Sequence, residues 1–120
     1  MSLKKSLLLE GQRDHYWLAS LRSALSALNR DLVVVSEAEM SRISWCEYDP
    51  IILEAGGITN LAFNISLIHL QNPQARIVVF SPSPDWKEAR EAMLAGAADY
   101  ARKSLNEDYI LRTLRKSLDR

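Results

Sequence analysis

Short apolar runs rich in β-branched residues alternate along this chain with longer stretches whose apolar residues recur every three or four positions. No other feature constrains the fold as much, because a continuous apolar run suits a buried strand and the longer period suits a helix with one inward face. Ser6 to Leu9 is the first such run, and Arg13 to Leu28 follows with Trp17, Leu18, Leu21, Leu25 and Leu28 at helical spacing. Asp31 to Val35 holds three consecutive valines and reads as a fully buried second strand, with Glu37 to Cys46 as a short second helix. Asp49-Pro50 opens a third strand, Ile51-Ile52-Leu53. After the turn Glu54-Ala55-Gly56-Gly57, a third helix turns Leu61, Ile65 and Ile68 inward, with Phe63 as a further inward candidate.

Pro73 breaks the chain before a fourth run, Ile77-Val78-Val79-Phe80. Ser83-Pro84-Asp85 then offers a cap, a proline at the first helical position and an acid in the first turn, and Gly96 is placed to stop that fourth helix. Ala98 to Arg102 is short and is read as a fifth strand from its context. Asn106 caps a last helix with Ile110, Leu111, Leu114 and Leu118 on one face and Arg112, Arg115 and Lys116 towards water. Five β/α units with right-handed crossovers give a five-stranded parallel sheet covered on both faces, a flavodoxin-like (βα)5 three-layer sandwich of the α/β class.

The 120 residues are one domain's worth, and 48% hydrophobic with 25% charged residues is an ordinary globular balance. Fifteen basic residues cancel fifteen acidic ones, so no global field draws the domain to nucleic acid or to an anionic membrane, and partners must be read locally. The single Cys46 cannot form an internal disulfide. No run approaches the roughly 20 apolar residues of a membrane span, and Lys4-Lys5 is followed by too short an apolar stretch for a signal peptide. A reducing, cytoplasmic setting is expected.

Parallel sheets of this kind bind ligands at the carboxyl ends of their strands. Those ends carry Glu10, Glu54, Ser81 and Lys103, a carboxylate, hydroxyl and ammonium group suited to a phosphoryl moiety, a metal or an internal ion pair. Gly56-Gly57 lacks the spacing of a phosphate loop and reads as a turn. His15 and His69 lie far apart and read as surface histidines, and Cys46 reads as a small, partly buried residue. Trp86 shares helical spacing with Ala89 and Met93, which points to partial burial with a share in an interface.

The run Ala75 to Ser81, the segment Ala95-Gly96-Ala97-Ala98-Asp99-Tyr100-Ala101-Arg102-Lys103 and the run Tyr48 to Glu54 together resemble the receiver domains of bacterial two-component response regulators. The resemblance spans nearly the whole chain and implies one receiver-like domain over residues 1–120. It implies that Glu54 holds the position of the phosphate-accepting aspartate. Ser81 matches the hydroxyl position, Lys103 the lysine that pairs with the phosphoryl group, and Tyr100 the switch aromatic. The acidic pair that holds Mg²⁺ in that family aligns with Glu10 and Gly11, so Glu10 is the one metal candidate left. Ser104 and Pro82 also depart from the usual pattern, which has proline after the lysine and a small residue after the hydroxyl.

Mg²⁺ demands near-octahedral oxygen ligands, so Gly11 in place of an acid predicts a weakened site. Glu54 extends its carboxylate by roughly 1.5 Å, the length of a C–C bond, where a misplacement of about 1 Å can cost a hundredfold in rate. The expectation is a pseudo-receiver with no enzymatic turnover, in which Glu54 offers Lys103 a permanent charge. It would signal through protein contacts with a histidine kinase or an output partner, or as a homodimer, on the face built from the fourth helix, fifth strand and last helix. Arg90 and Arg102 could pair there with Glu88, Glu91 or Asp99. Two readings compete: a working Mg²⁺-dependent phosphoacceptor, and a flavodoxin-like module that binds a ligand or serves as a scaffold.

Overall fold

A computed structural model of the chain describes residues 4–10 and 14–119. Strands β1 (Lys4–Glu10), β2 (Arg30–Ser36), β3 (Tyr48–Glu54), β4 (Ile77–Ser81) and β5 (Asp99–Arg102) form one sheet in the order β2-β1-β3-β4-β5, with every neighbouring pair parallel. Helices α1 (His15–Ala27), α2 (Leu61–Gln71) and α3 (Trp86–Ala95) lie between strands, and α4 (Glu107–Leu118) follows β5. This is the expected three-layer α/β sandwich.

Side chains of successive strand residues point to opposite faces, so each central strand feeds two cores. Leu8, Ile52, Val78 and Phe80 pack under α1 and α4 with Trp17, Leu21, Leu25, Ile110 and Leu114. Leu7, Leu9, Ile51, Leu53, Ile77 and Val79 pack on the other face with Ile65 and Ile68 of α2 and Ala92 of α3. Strand order reverses at β1, which leaves the crevice for a site at the carboxyl ends of β1 and β3.

The second helix expected over Glu37 to Cys46 is instead two 3-10 turns, Glu37–Arg42 and Trp45–Glu47. No residue of the first turn is fully buried, and a helix that short gains its stability from tertiary packing rather than propensity. A capping box between Ser36 and Glu39 fixes where the turn begins. Strand β2 is an edge strand, so Val33, Val34 and Val35 are only half-buried, whereas β4 is buried throughout and β3 from Pro50 to Glu54.

Helix α1 begins at His15 behind an N-cap at Asp14, whose Oδ1 accepts the Trp17 N–H at 3.1 Å; the expected start at Arg13 lies outside the described residues. Asp85, not Ser83, caps α3, accepting the Lys87 N–H at 3.1 Å. The α3 face that meets the sheet is Glu88, Ala92 and Ala95, which turns Trp86 and Met93 out; Trp86 is exposed, not partly buried. Phe63 is also exposed, because the inward face of α2 is already filled by Leu61, Ile65 and Ile68. Cys46 is exposed, its neighbour Trp45 taking the buried position. His15 is exposed, whereas His69 is half-buried against Gly96. That glycine ends α3 at φ +124°, where a Cβ would stand 2.8 Å from His69 Cγ. Asn106 caps α4 as expected, accepting the Tyr109 N–H at 3.0 Å. Among the described residues no helix is long and apolar enough to cross a membrane.

Candidate functional site

Parallel pairing brings the ends of β3, β4 and β5 side by side, with Glu54 opposite Phe80 and Ser81 opposite Arg102. The next residue after β5, Lys103, donates its backbone N–H to the Ser81 carbonyl at 2.8 Å and so is carried to the head of the crevice. Its ammonium contacts Glu54 Oε2 on one side and lies 3.0 Å from Asp14 Oδ2 on the other. The Nζ also stands 4.9 Å from the centroid of the Trp17 ring, whose face attracts the cation. Trp17 is held in turn edge-on against Phe80, with the ring centroids 5.7 Å apart.

Glu54 and Lys103 expose 1% and 9% of their side chains, while Asp14 exposes 36%. Burial works against the Lys103 charge, but hydrogen bonds to Glu54 and Asp14 outweigh it and hold the amine above its ordinary value. Asp14 is held below the usual carboxylate value, first by its hydrogen bond with Lys103 and then by the Trp17 N–H.

Ser81 is buried, and its Oγ accepts the Ser83 N–H at 3.2 Å. Tyr100 reaches from β5 towards the start of α3, where its hydroxyl donates to Glu88 Oε1 at 2.5 Å and accepts the Asp85 N–H at 3.4 Å. Burial, with the bond to Glu88 behind it, raises the phenol above its ordinary value; the Ser81 hydroxyl and the Asp85 N–H act in the opposite sense. Tyr100 therefore ties β4, β5 and the first turn of α3 together.

The structure thus joins Glu54 to Lys103, and Ser81 to both Lys103 and Tyr100. Glu10 sits half-buried at the end of β1, paired in register with Ser36, and Gly11 lies outside the described residues. Sequence reasoning missed Asp14 as a partner of Lys103. Its signal was an acid directly before an apolar period, the pattern of an N-cap at the carboxyl end of β1. Periodicity placed Trp17 inward but said nothing of the ammonium above it, and Glu88 was matched with arginines instead of Tyr100.

An Mg²⁺ ion needs several oxygen ligands free to turn towards it. The described residues do not fit one: Glu54 faces an ammonium, and among them no three Asp, Glu, His or Cys side chains come together in a cluster that could hold a metal.

No protein-family model matches the chain, and no curated protein matches it in sequence. Solved structures do. A response regulator from Thermotoga maritima superposes with a TM-score of 0.81 at 19% identity, covering 98% of this chain and 99% of that one. An orphan response regulator of H. pylori gives 0.79 at 18% identity, with 98% of each chain covered. An atypical orphan response regulator, whose structure revealed a phosphorylation-independent regulatory mechanism, gives 0.77 at 19% identity over 96% of this chain and 95% of that one. At such identities the likeness is one of fold, and the described residues have the receiver-domain fold.

Proposed function

We propose that this domain is a receiver-like module of two-component signalling that works through protein contacts, with its charge arrangement held fixed instead of being set by phosphoryl transfer. One observation carries the reading: the buried carboxylate of Glu54, at the acceptor position, is already engaged by the Lys103 ammonium that a phosphoryl group would need. An ammonium has three donors, and here two go to carboxylates and the ring of Trp17 covers a further side. Glu54 accordingly supplies in permanent form the negative charge that phosphorylation would add. The module has no catalytic turnover and no resident metal on this reading. A histidine kinase or an output partner would read the face of α3, β5 and α4, where Tyr100 and Glu88 fix the start of α3.

Intact-mass measurement after incubation with a small-molecule phosphodonor, with and without Mg²⁺, tests the proposal on the natural chain and on Glu54→Asp. The natural chain is expected to gain no mass in either condition. A gain of one phosphoryl group that requires Mg²⁺ would sink the reading, since Glu54 and Glu10 would then form a working site. A gain by Glu54→Asp alone would locate the loss in the acceptor's added methylene.

A further inference from the structure

Strand β5 is an open edge of the sheet, and an open edge invites a partner strand. Its own side chains discourage one. The Tyr100 N–H goes to Asp99 Oδ1 at 2.8 Å and the Arg102 N–H to Tyr109 Oη at 3.3 Å, while Lys103 donates inward to the Ser81 carbonyl. A strand laid along β5 would find these two donors already taken. Recognition on this edge therefore falls to side chains.

Those side chains line a groove of about 380 Å³ between β5 and α4. Arg112 and Lys116, both exposed and one helical turn apart, stand along it, and the exposed Arg102 lies at its end near the carboxyl end of β5. None of these three cations has an ion-pair partner among the described residues. The groove itself offers one acid, Asp99, and one of its oxygens is occupied by the Tyr100 N–H. Acids nearby are committed elsewhere: Glu88 accepts the Tyr100 hydroxyl, Glu107 accepts the Ser23 hydroxyl of α1, and Glu91 lines a different groove beside α2. Asp108 stands one turn before Arg112, whose Nε donates to its backbone carbonyl at 3.4 Å and not to its carboxylate.

Three unpaired cations select the occupant. Two copies set face to face across this groove would press cation on cation, and like charges make such a contact costly. Nucleic acid is held by many phosphate contacts, and a chain whose fifteen basic residues are matched by fifteen acidic ones has no excess to supply them. A short acidic segment of another protein fits. Its carboxylates can take the two guanidinium groups in paired hydrogen bonds and the ammonium as a point charge, and its apolar stems can lie on Ala101 and the Tyr109 ring.

We propose that the groove between β5 and α4 is the docking site for an acidic segment of a partner protein, held by side chains and not by strand pairing. This rests on the reading that partners meet the domain on the face of α3, β5 and α4, and it does not depend on how Glu54 is charged.

Fluorescence anisotropy of a labelled peptide of glutamates around a single leucine tests it on the natural chain, with thermal unfolding to verify that each variant keeps its fold. The peptide should bind, more weakly as salt is raised, and its counterpart with lysine for glutamate should not. Arg112→Glu combined with Lys116→Glu should weaken binding at least tenfold. Arg42→Glu, on the turn after β2 at the opposite edge of the sheet, should leave it unchanged. Binding that survives the double variant, that is as tight for the lysine peptide, or that is absent at millimolar protein would overturn the proposal, as would a labelled DNA duplex bound more tightly than the acidic peptide. Failure of the fixed-charge reading is seen separately, since phosphoryl uptake by the natural chain would sink that reading and leave the peptide result standing.

Discussion

Strand β3 carries an acid near each end, and each acid has found a cation from a neighbouring part of the sheet. At the amino end, Asp49 Oδ2 meets Arg76 Nη1 at 2.6 Å and Oδ1 accepts the Arg76 backbone N–H at 3.0 Å. At the carboxyl end, Glu54 meets Lys103. The contacts look alike, yet the Asp49 and Arg76 side chains are about one-third exposed and those of Glu54 and Lys103 are almost enclosed. Water can take over either half of the first pair. It cannot reach Glu54. The same chemistry therefore fastens two strands at one end of the sheet and fixes a buried charge arrangement at the other, which is the end where ligands and phosphoryl groups are handled in this architecture.

The largest expected effect comes from removing the buried cation. Lys103→Met fills the volume but leaves the Glu54 charge in a dry site without its ammonium, and loss of one member of a buried pair typically costs about 3–5 kcal/mol. Urea unfolding should show that loss. The double variant Lys103→Met with Glu54→Gln should recover most of it, because the stranded charge is gone as well. A Lys103→Met variant within about 1 kcal/mol of the natural chain would mean that water already reaches Glu54, and the contrast between the two ends would collapse.

Arg76→Ala is the matching break at the other end. Asp49 keeps the backbone N–H of residue 76 and gains water, so the expected loss is at most about 1 kcal/mol and should shrink further in high salt. An effect as large as that of Lys103→Met would show that exposure is not what separates the two pairs.

The sheet was legible in the sequence because its signal is redundant. Four apolar runs, each followed by a periodic stretch or a turn, with a short fifth strand read from its context, admit few topologies, and β3 and β4 sit where continuous apolar runs place them. What failed was decided by neighbours instead of by local pattern. Three valines look the same in an edge strand as in a central one, and only strand order tells that β2 has one neighbour. Glu37 to Cys46 buries only Trp45 fully, with Met40 and Ile43 half-buried against the core, and two 3-10 turns suffice for that. At the site, Glu54 and Ser81 follow apolar runs and Lys103 follows the short fifth strand, and all three were found by that position. Asp14 was missed because it comes from the opposite side of the crevice, carried there by the start of α1. Pairwise contacts between units leave no periodic trace.

The smallest expected effect isolates Asp14, the half-solvated member of the cluster. Asparagine caps helices as well as aspartate does, so Asp14→Asn keeps the bond to the Trp17 N–H and removes only the charge that faces Lys103. At neutral pH the loss should stay below about 1 kcal/mol, as for other exposed pairs. Its pH dependence is the sharper readout. Asp14 is held below its ordinary value of 3.8 in the folded chain, so its contribution is complete above that value and disappears as pH falls through the lowered one. The stability curves of the natural chain and of Asp14→Asn should therefore converge on strong acidification. Lys103 works in the other direction: it is held above 10.5, so what it contributes is complete below 10.5 and is lost only as pH rises through the raised value. Two proteins equally stable at neutral pH would show that Asp14 acts as a cap alone, leaving Glu54 as the charge that holds Lys103 in place.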